Sequence, residues 1–230
     1  MKKPEISRER VRTLLDTRYI RVFDLQYGEK GHYYDATRRD AENLAAVKTE
    51  AEFREMLPDA VSCFLIVKTP DAPYRLVLFH EYRYPVGRFL LSPPAGLIDA
   101  EDRGGGFEAA LLHTARREIF EETGIRLTEK DRLFVVSPLL FSSPGMTDES
   151  NGLVCAVTER ENLDCLNQRG AVGSECFDGF TLLTKEEALA TLRRGRDERG
   201  RTYSIFTWAA LTYFACDLWK EDSPVNGAET

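Results

Sequence analysis

Between Val61 and Ser92 the chain carries three strand-like runs in close succession, and these limit the folds open to it more than any other stretch. "VSCFLIVK" (61–68) is almost continuously apolar, "YRLVLFHEYRY" (74–84) repeats the texture after a turn at "TPDAP" (69–73), and "RFLLS" (88–92) follows. Runs this short, rich in β-branched and aromatic residues and bounded by Pro, Asp and Gly, read as strands. A glutamate-rich helical segment comes next, then the strand-like "RLFVVSPLLF" (132–141) and "GLVCAVTE" (152–159). "DGFTLLTKEEALATLRRG" (178–195) reads as a strand and then a helix, with Thr184 and Glu187 in capping-box positions. A final helix is predicted over 202–220, with Ile205, Trp208, Leu211 and Ala215 on one side. Strands outnumber helices and mix hairpins with crossovers, which predicts an α+β chain built as a mixed-sheet sandwich.

Upstream, "YIRVFDLQYG" (19–28) and "HYYDATRRD" (32–40) form a predicted antiparallel β-hairpin. One or two short helices then connect it to the strand-rich region and stop at Pro58. The reading divides the chain into an N-terminal hairpin and connector (1–58), a main domain (59–222) and a C-terminal tail (223–230).

Composition excludes several classes. The longest apolar runs fall short of the roughly 18 to 20 residues that a membrane-spanning helix needs. The N-terminus is basic but reaches no apolar core of a signal peptide, so a cytoplasmic protein is expected. Five cysteines, Cys63, Cys155, Cys165, Cys176 and Cys216, are odd in number and not closely paired, which points to reduced thiols. A net charge of −7 advertises no nucleic-acid surface, and a polyanionic substrate would need a metal to offset repulsion. The run 193–201, "RRGRDERGR", reads as an exposed, mobile loop.

The segment "TARREIFEETGI" (114–125) poses an electrostatic question. At helical spacing Glu118, Glu121 and Glu122 share one side of a helix, beside the apolar stripe of Leu112, Ala115 and Ile119. Three hard oxygen donors with no Cys or His on the same face suit Mg²⁺ or Mn²⁺ better than zinc. Arg117 stands four residues before Glu121 and can orient it, and Gly124 ends the helix.

Together with "PPAGLID" (93–99), this segment resembles the signature of the Nudix hydrolases, G-x5-E-x7-R-E-U-x-E-E-x-G-U with U aliphatic. Arg117 to Ile125 matches at every fixed position. The first half departs: six residues after Gly96 stands Asp102 instead of glutamate, and about seven extra residues, including three glycines, precede Arg117. Asp102 and Glu108 are both candidates for the first acidic position. Further likeness is to the ADP-sugar pyrophosphatase branch, in which an arginine precedes a Pro-Ala-Gly turn; Arg83 matches it. Where that branch carries an acidic residue two before the turn, this chain has Ser92. "SSPGMTDE" (142–149) is similar to the branch's Ser-Pro-Gly loop, whose terminal glutamate falls on Glu149.

The resemblance implies a Nudix-type α/β/α sandwich preceded by the N-terminal hairpin region, and hydrolysis of an ADP-sugar, with ADP-ribose the leading substrate. Glu118, Glu121, Glu122 and the Gly96 carbonyl would ligate Mg²⁺ or Mn²⁺, and Arg83 would bind the substrate's diphosphate. Glu149 is the expected base, with Asp148 and Glu122 as competitors and Arg117 as a supporting catalytic residue. A homodimer is implied, its N-terminal strands bringing an aromatic ring to the adenine; Phe23, Tyr27, Tyr33 and Tyr34 are available without one being chosen. His80 and His113 are read as structural. Another nucleotide sugar or a dinucleotide is the alternative substrate, and a non-catalytic nucleotide sensor the alternative of a different class.

Overall fold

The computed structural model describes residues 4–170 and 173–220; the 223–230 tail lies outside them. The chain forms two compact units. One comprises the described residues up to Asp59 with Leu139–Asn151, and the other Ala60–Pro138 with the described residues from Gly152 onward.

The first unit holds an antiparallel sheet of β1 (Val11–Asp16), β2 (Arg21–Tyr27) and β3 (Gly31–Thr37), in that order. β2 and β3 are the expected hairpin, paired without interruption from Arg21↔Thr37 to Tyr27↔Gly31. β1 is an addition to the predicted pair. Its "VRTLLD" lacks period-two alternation, and its register against β2 shifts between Thr13 and Leu15. Phe23, Leu25 and Leu44 form the small core. The connector is a 3-10 turn at Ala45–Val47 and the short helix α1 (Glu50–Arg54), where Thr49 and Glu52 cap each other reciprocally.

In the second unit, β4 (Ala60–Thr69), β5 (Ala72–Arg83), β6 (Arg88–Ser92) and β7 (Ala95–Leu97) lead to the long helix α2 (Phe107–Thr123). β8 (Arg132–Phe141, in this unit as far as Pro138), β9 (Ser150–Glu159, in this unit from Gly152), β10 (Phe177–Leu183), α3 (Lys185–Arg194) and α4 (Ile205–Ala215) follow. The sheet runs β10-β5-β4-β9-β8, with β6 on β5 and β7 on β4.

Alternation along β4 shows why this is a sandwich. Phe64 and Ile66 join Leu76, Leu78, Cys155 and the α3 and α4 residues Ala188, Leu211 and Phe214 in one core. Val61, Cys63, Leu65 and Val67 join Val154, Ala156 and the α2 residues Leu111, Ala115 and Ile119 in another. A strand buried on both faces reads as the continuous apolar run that the sequence shows. Each fully buried Leu or Ile contributes roughly 1.5–3 kcal/mol, so helices on both faces are needed to cover the sheet.

Two expectations change. Trp208 and Ile205 are exposed while Leu211 and Ala215 are buried, because α4 is apolar around its whole circumference and its buried stripe cannot be read from hydrophobicity alone. The arginine-rich run at 193–201 is anchored: Asp197 is buried and bonds the Nε2 of His80, which is itself fully buried on β5. That contact agrees with the structural reading of His80.

Candidate active site

α2 places the carboxylates. Its N-cap is Gly106 at φ 96°, after a 3-10 turn at Ala100–Arg103, so the extra residues of the first half-box are taken up before the helix starts. The helix buries Leu111, Ala115 and Ile119 against β4 and β9, and the same face buries Glu118 and Glu122. Gly124 ends it in the left-handed region at φ 75°, as a C′ glycine should.

Glu118 is 7% exposed and Glu122 only 4%. Burial pushes the Glu118 carboxyl up to about 7, with the Arg117 guanidinium working against that rise and Glu121 adding to it. Burial likewise raises Glu122 well above the ordinary carboxylate range; the Ala95 N–H, 2.8 Å from its Oε2, opposes the rise, while the charges of Glu118, Glu81 and Glu175 reinforce it. Desolvated carboxylates held close together are costly unless a cation joins them.

Gly96 is part of the same geometry. β7 pairs with β4 through Val61↔Gly96 and lies so close to α2 that a Cβ on Gly96 would meet Glu118 Oε1 at 1.8 Å. Only glycine leaves room for the carboxylate beside this turn.

Arg117 organises the cluster. Its Nη1 donates to Glu118 Oε1 at 2.7 Å and to Glu121 Oε2 at 3.1 Å. Its Nη2 donates to the Leu97 carbonyl at 2.9 Å and to Asp102 Oδ2 at 2.8 Å. Asp102 is therefore the acid that meets the box arginine. It is 2% exposed; burial alone would raise its carboxyl, but bonds from Arg117 and the Asp99 amide hold it below the ordinary value. His113 adds a contact, Nδ1 to Asp102 Oδ1 at 3.2 Å. Glu108 sits in the first turn of α2, nine residues before Arg117.

Arg83 ends β5, with Nη2 2.6 Å from Glu81 Oε2. Two acids that the sequence reading did not single out, Glu81 and Glu175, lie near enough to Glu122 for their charges to act on it. Strand pairing brings Glu81 there; the segment preceding β10, tied by Tyr82 N–H to the Cys176 carbonyl at 2.8 Å, brings Glu175.

Glu149 and Asp148 belong to the first unit. Both Asp148 oxygens are engaged, Oδ1 by the Thr37 hydroxyl and Oδ2 by the Ala45 N–H at 2.9 Å, with the Arg39 guanidinium 3.6 Å away. Glu149 is more open, its side chain 38% exposed, with Arg38 Nε at 3.5 Å from Oε1. Tyr33 donates to the Gly145 carbonyl at 2.9 Å in the same loop.

Among the described residues, no three His, Cys, Asp or Glu side chains stand as a closed metal cluster. The donor chemistry of Glu118, Glu121 and Glu122 nonetheless fits a hard divalent cation: all are carboxylates, Glu118 and Glu122 are buried, and the Arg117 guanidinium is shared by Glu118 and Glu121. Among the same residues, no helix is long and apolar enough to cross a membrane.

No family model matches the chain. Over 100 residues it is 38% identical to a Caenorhabditis elegans protein named as a Nudix hydrolase, covering 44% of this chain and 40% of that one. Over 127 residues it is 32% identical to the ADP-ribose pyrophosphatase of Saccharomyces cerevisiae, covering 55% of this chain and 48% of that one. These matches thus span less than half the length of either curated relative. A crystal structure of an ADP compounds hydrolase has a TM-score of 0.54 at 19% identity over 95% of both chains, a likeness of fold. With the box residues assembled as described, the chain is similar to Nudix hydrolases over these stretches. One of the two relatives is named as an ADP-ribose pyrophosphatase.

Proposed function

We propose that the protein is a metal-dependent hydrolase of the diphosphate bond of an ADP-sugar, converting ADP-ribose and water to AMP and ribose 5-phosphate. The observation that carries this reading is the burial of Glu118 and Glu122 beside Gly96, with Arg117 tied to Glu118, Glu121 and Asp102.

Glu118, Glu121, Glu122 and the Gly96 carbonyl would hold Mg²⁺ or Mn²⁺. When bound, the cation supplies charge neutralisation to the two phosphates and lowers the pKa of a coordinated water. Arg117 fixes the directions of Glu118 and Glu121, and Arg83 offers a guanidinium fork that matches phosphate oxygens. Glu149 is the proposed proton acceptor for the attacking water, favoured over Asp148 because its side chain is more open and its partners stand farther off, at 3.4 and 3.5 Å. Glu175, whose charge reaches Glu118 and Glu122, is the second candidate for that role. Dimerisation through the N-terminal strands is part of the proposal; β1 leaves Leu14 and Leu15 exposed.

Side-by-side assays of ADP-ribose, ADP-glucose, GDP-mannose and NADH with Mg²⁺ test the substrate. Inertness toward every ADP-sugar overturns it. Glu149→Gln tests the base: full activity in that variant moves the role to Glu175.

A further inference from the structure

We propose that Glu81 is a positioning residue that aims the Arg83 guanidinium at the substrate's diphosphate, with Ser92 as the seat that holds Glu81 in place. The inference rests on the functional reading above and adds a residue to it.

Glu81 and Arg83 stand two apart on β5, so their side chains leave the sheet on the same face. β6 pairs with β5 through Phe79↔Ser92 and Glu81↔Leu90, which puts Ser92 diagonally beside Glu81 on that face. The Ser92 hydroxyl lies near enough to the Glu81 carboxylate to favour its charged form. Ser92 is 2% exposed, and the Glu81 side chain only 12%, so the acid is held within the sheet surface. Its Oε2 meets Arg83 Nη2 at 2.6 Å, while the Arg83 side chain remains 45% exposed. A buried anchor therefore grips one edge of an otherwise open guanidinium.

A flexible arginine gains pre-organisation from such a grip. Without it, ordering the side chain on the phosphate would cost rotamer entropy at each binding event. Glu81 also fixes which face of the fork stays free, since bidentate phosphate recognition is directional.

The test compares Glu81→Ala, Glu81→Gln, Arg83→Ala and the Glu81→Ala/Arg83→Ala pair, each checked for folding by thermal unfolding. With ADP-ribose and saturating Mg²⁺, Glu81→Ala raises KM about tenfold and leaves kcat within about threefold, the signature of lost substrate positioning. The double variant is no worse than Arg83→Ala alone, because Glu81 acts through Arg83. Glu81→Gln keeps the shape beside Ser92, guards against misfolding of the alanine variant, and gives an intermediate KM. In ¹⁵N-labelled substrate-free protein, the Arg83 Nε–H signal is slowly exchanging in the parent and averaged in Glu81→Ala. Multiplicative losses in the double variant or an unchanged KM overturns the proposal. If the parent leaves ADP-ribose intact, the functional reading fails by itself, and the same cycle read as ADP binding by calorimetry decides the role of Glu81.

Discussion

Arg117 Nη2 lies 2.8 Å from Asp102 Oδ2, while Nη1 of the same guanidinium lies 2.7 Å from Glu118 Oε1. One planar fork thus ties the irregular half of the signature to the regular half, and Asp102, one methylene shorter than glutamate, reaches it from a 3-10 turn. Asp102→Asn is expected to lower turnover about tenfold to a hundredfold, as losing a partner that orients a ligand does. Glu108→Gln is expected to stay within about twofold, as an exposed first-turn substitution does. Steady-state kinetics on the two variants measures the difference.

Gly96→Ala drives a methyl group into Glu118, the nearest oxygen lying 1.8 Å from the new carbon. Glu118 must turn away, and turnover is expected to fall by about a hundredfold or more, since displacements near 1 Å carry such penalties. Gly104→Ala is the control: its backbone has φ −74° and nothing lies within 4 Å of an added Cβ. Kinetics and thermal unfolding of both variants should show a selective loss at Gly96.

Asp131 stands six residues after Ile125, the last residue of the box, and serves stability. Its side chain is 5% exposed and receives Arg160 Nη1 at 2.9 Å. Burial alone would raise its carboxyl, yet bonds from Arg160, Thr158 and Thr128 hold it far below the ordinary value. A depressed folded-state pKa means the contribution is present above the unfolded value, about 3.9, and is lost as pH falls toward the folded value. Asp131→Asn is therefore expected to cost about 2 kcal/mol at pH 7, the scale of a charged hydrogen bond. Urea unfolding at pH 7 and pH 3 should show the deficit narrowing at the lower pH.

Local patterns made part of this legible. Glu118, Glu121 and Glu122 were visible because i, i+3 and i+4 positions share a helix side, and Thr184 with Glu187 because a capping box is local. Glu81 and Glu175 were not, since one reaches the site through β5–β6 pairing and the other through the segment before β10. The choice between Asp102 and Glu108 needed the 3-10 turn, which three glycines conceal in the sequence. β1 escaped notice for want of alternation, and the exposed side of α4 because the whole helix is apolar.

Whether the α2 carboxylates hold a divalent cation for diphosphate hydrolysis is read from turnover of ADP-ribose by the parent and by Glu122→Gln, with Mg²⁺ and after chelation. The parent should release AMP and ribose 5-phosphate only with Mg²⁺ present, and a folded Glu122→Gln at least about a hundredfold less. Equal hydrolysis by parent and variant, or hydrolysis unchanged by chelation, would contradict it.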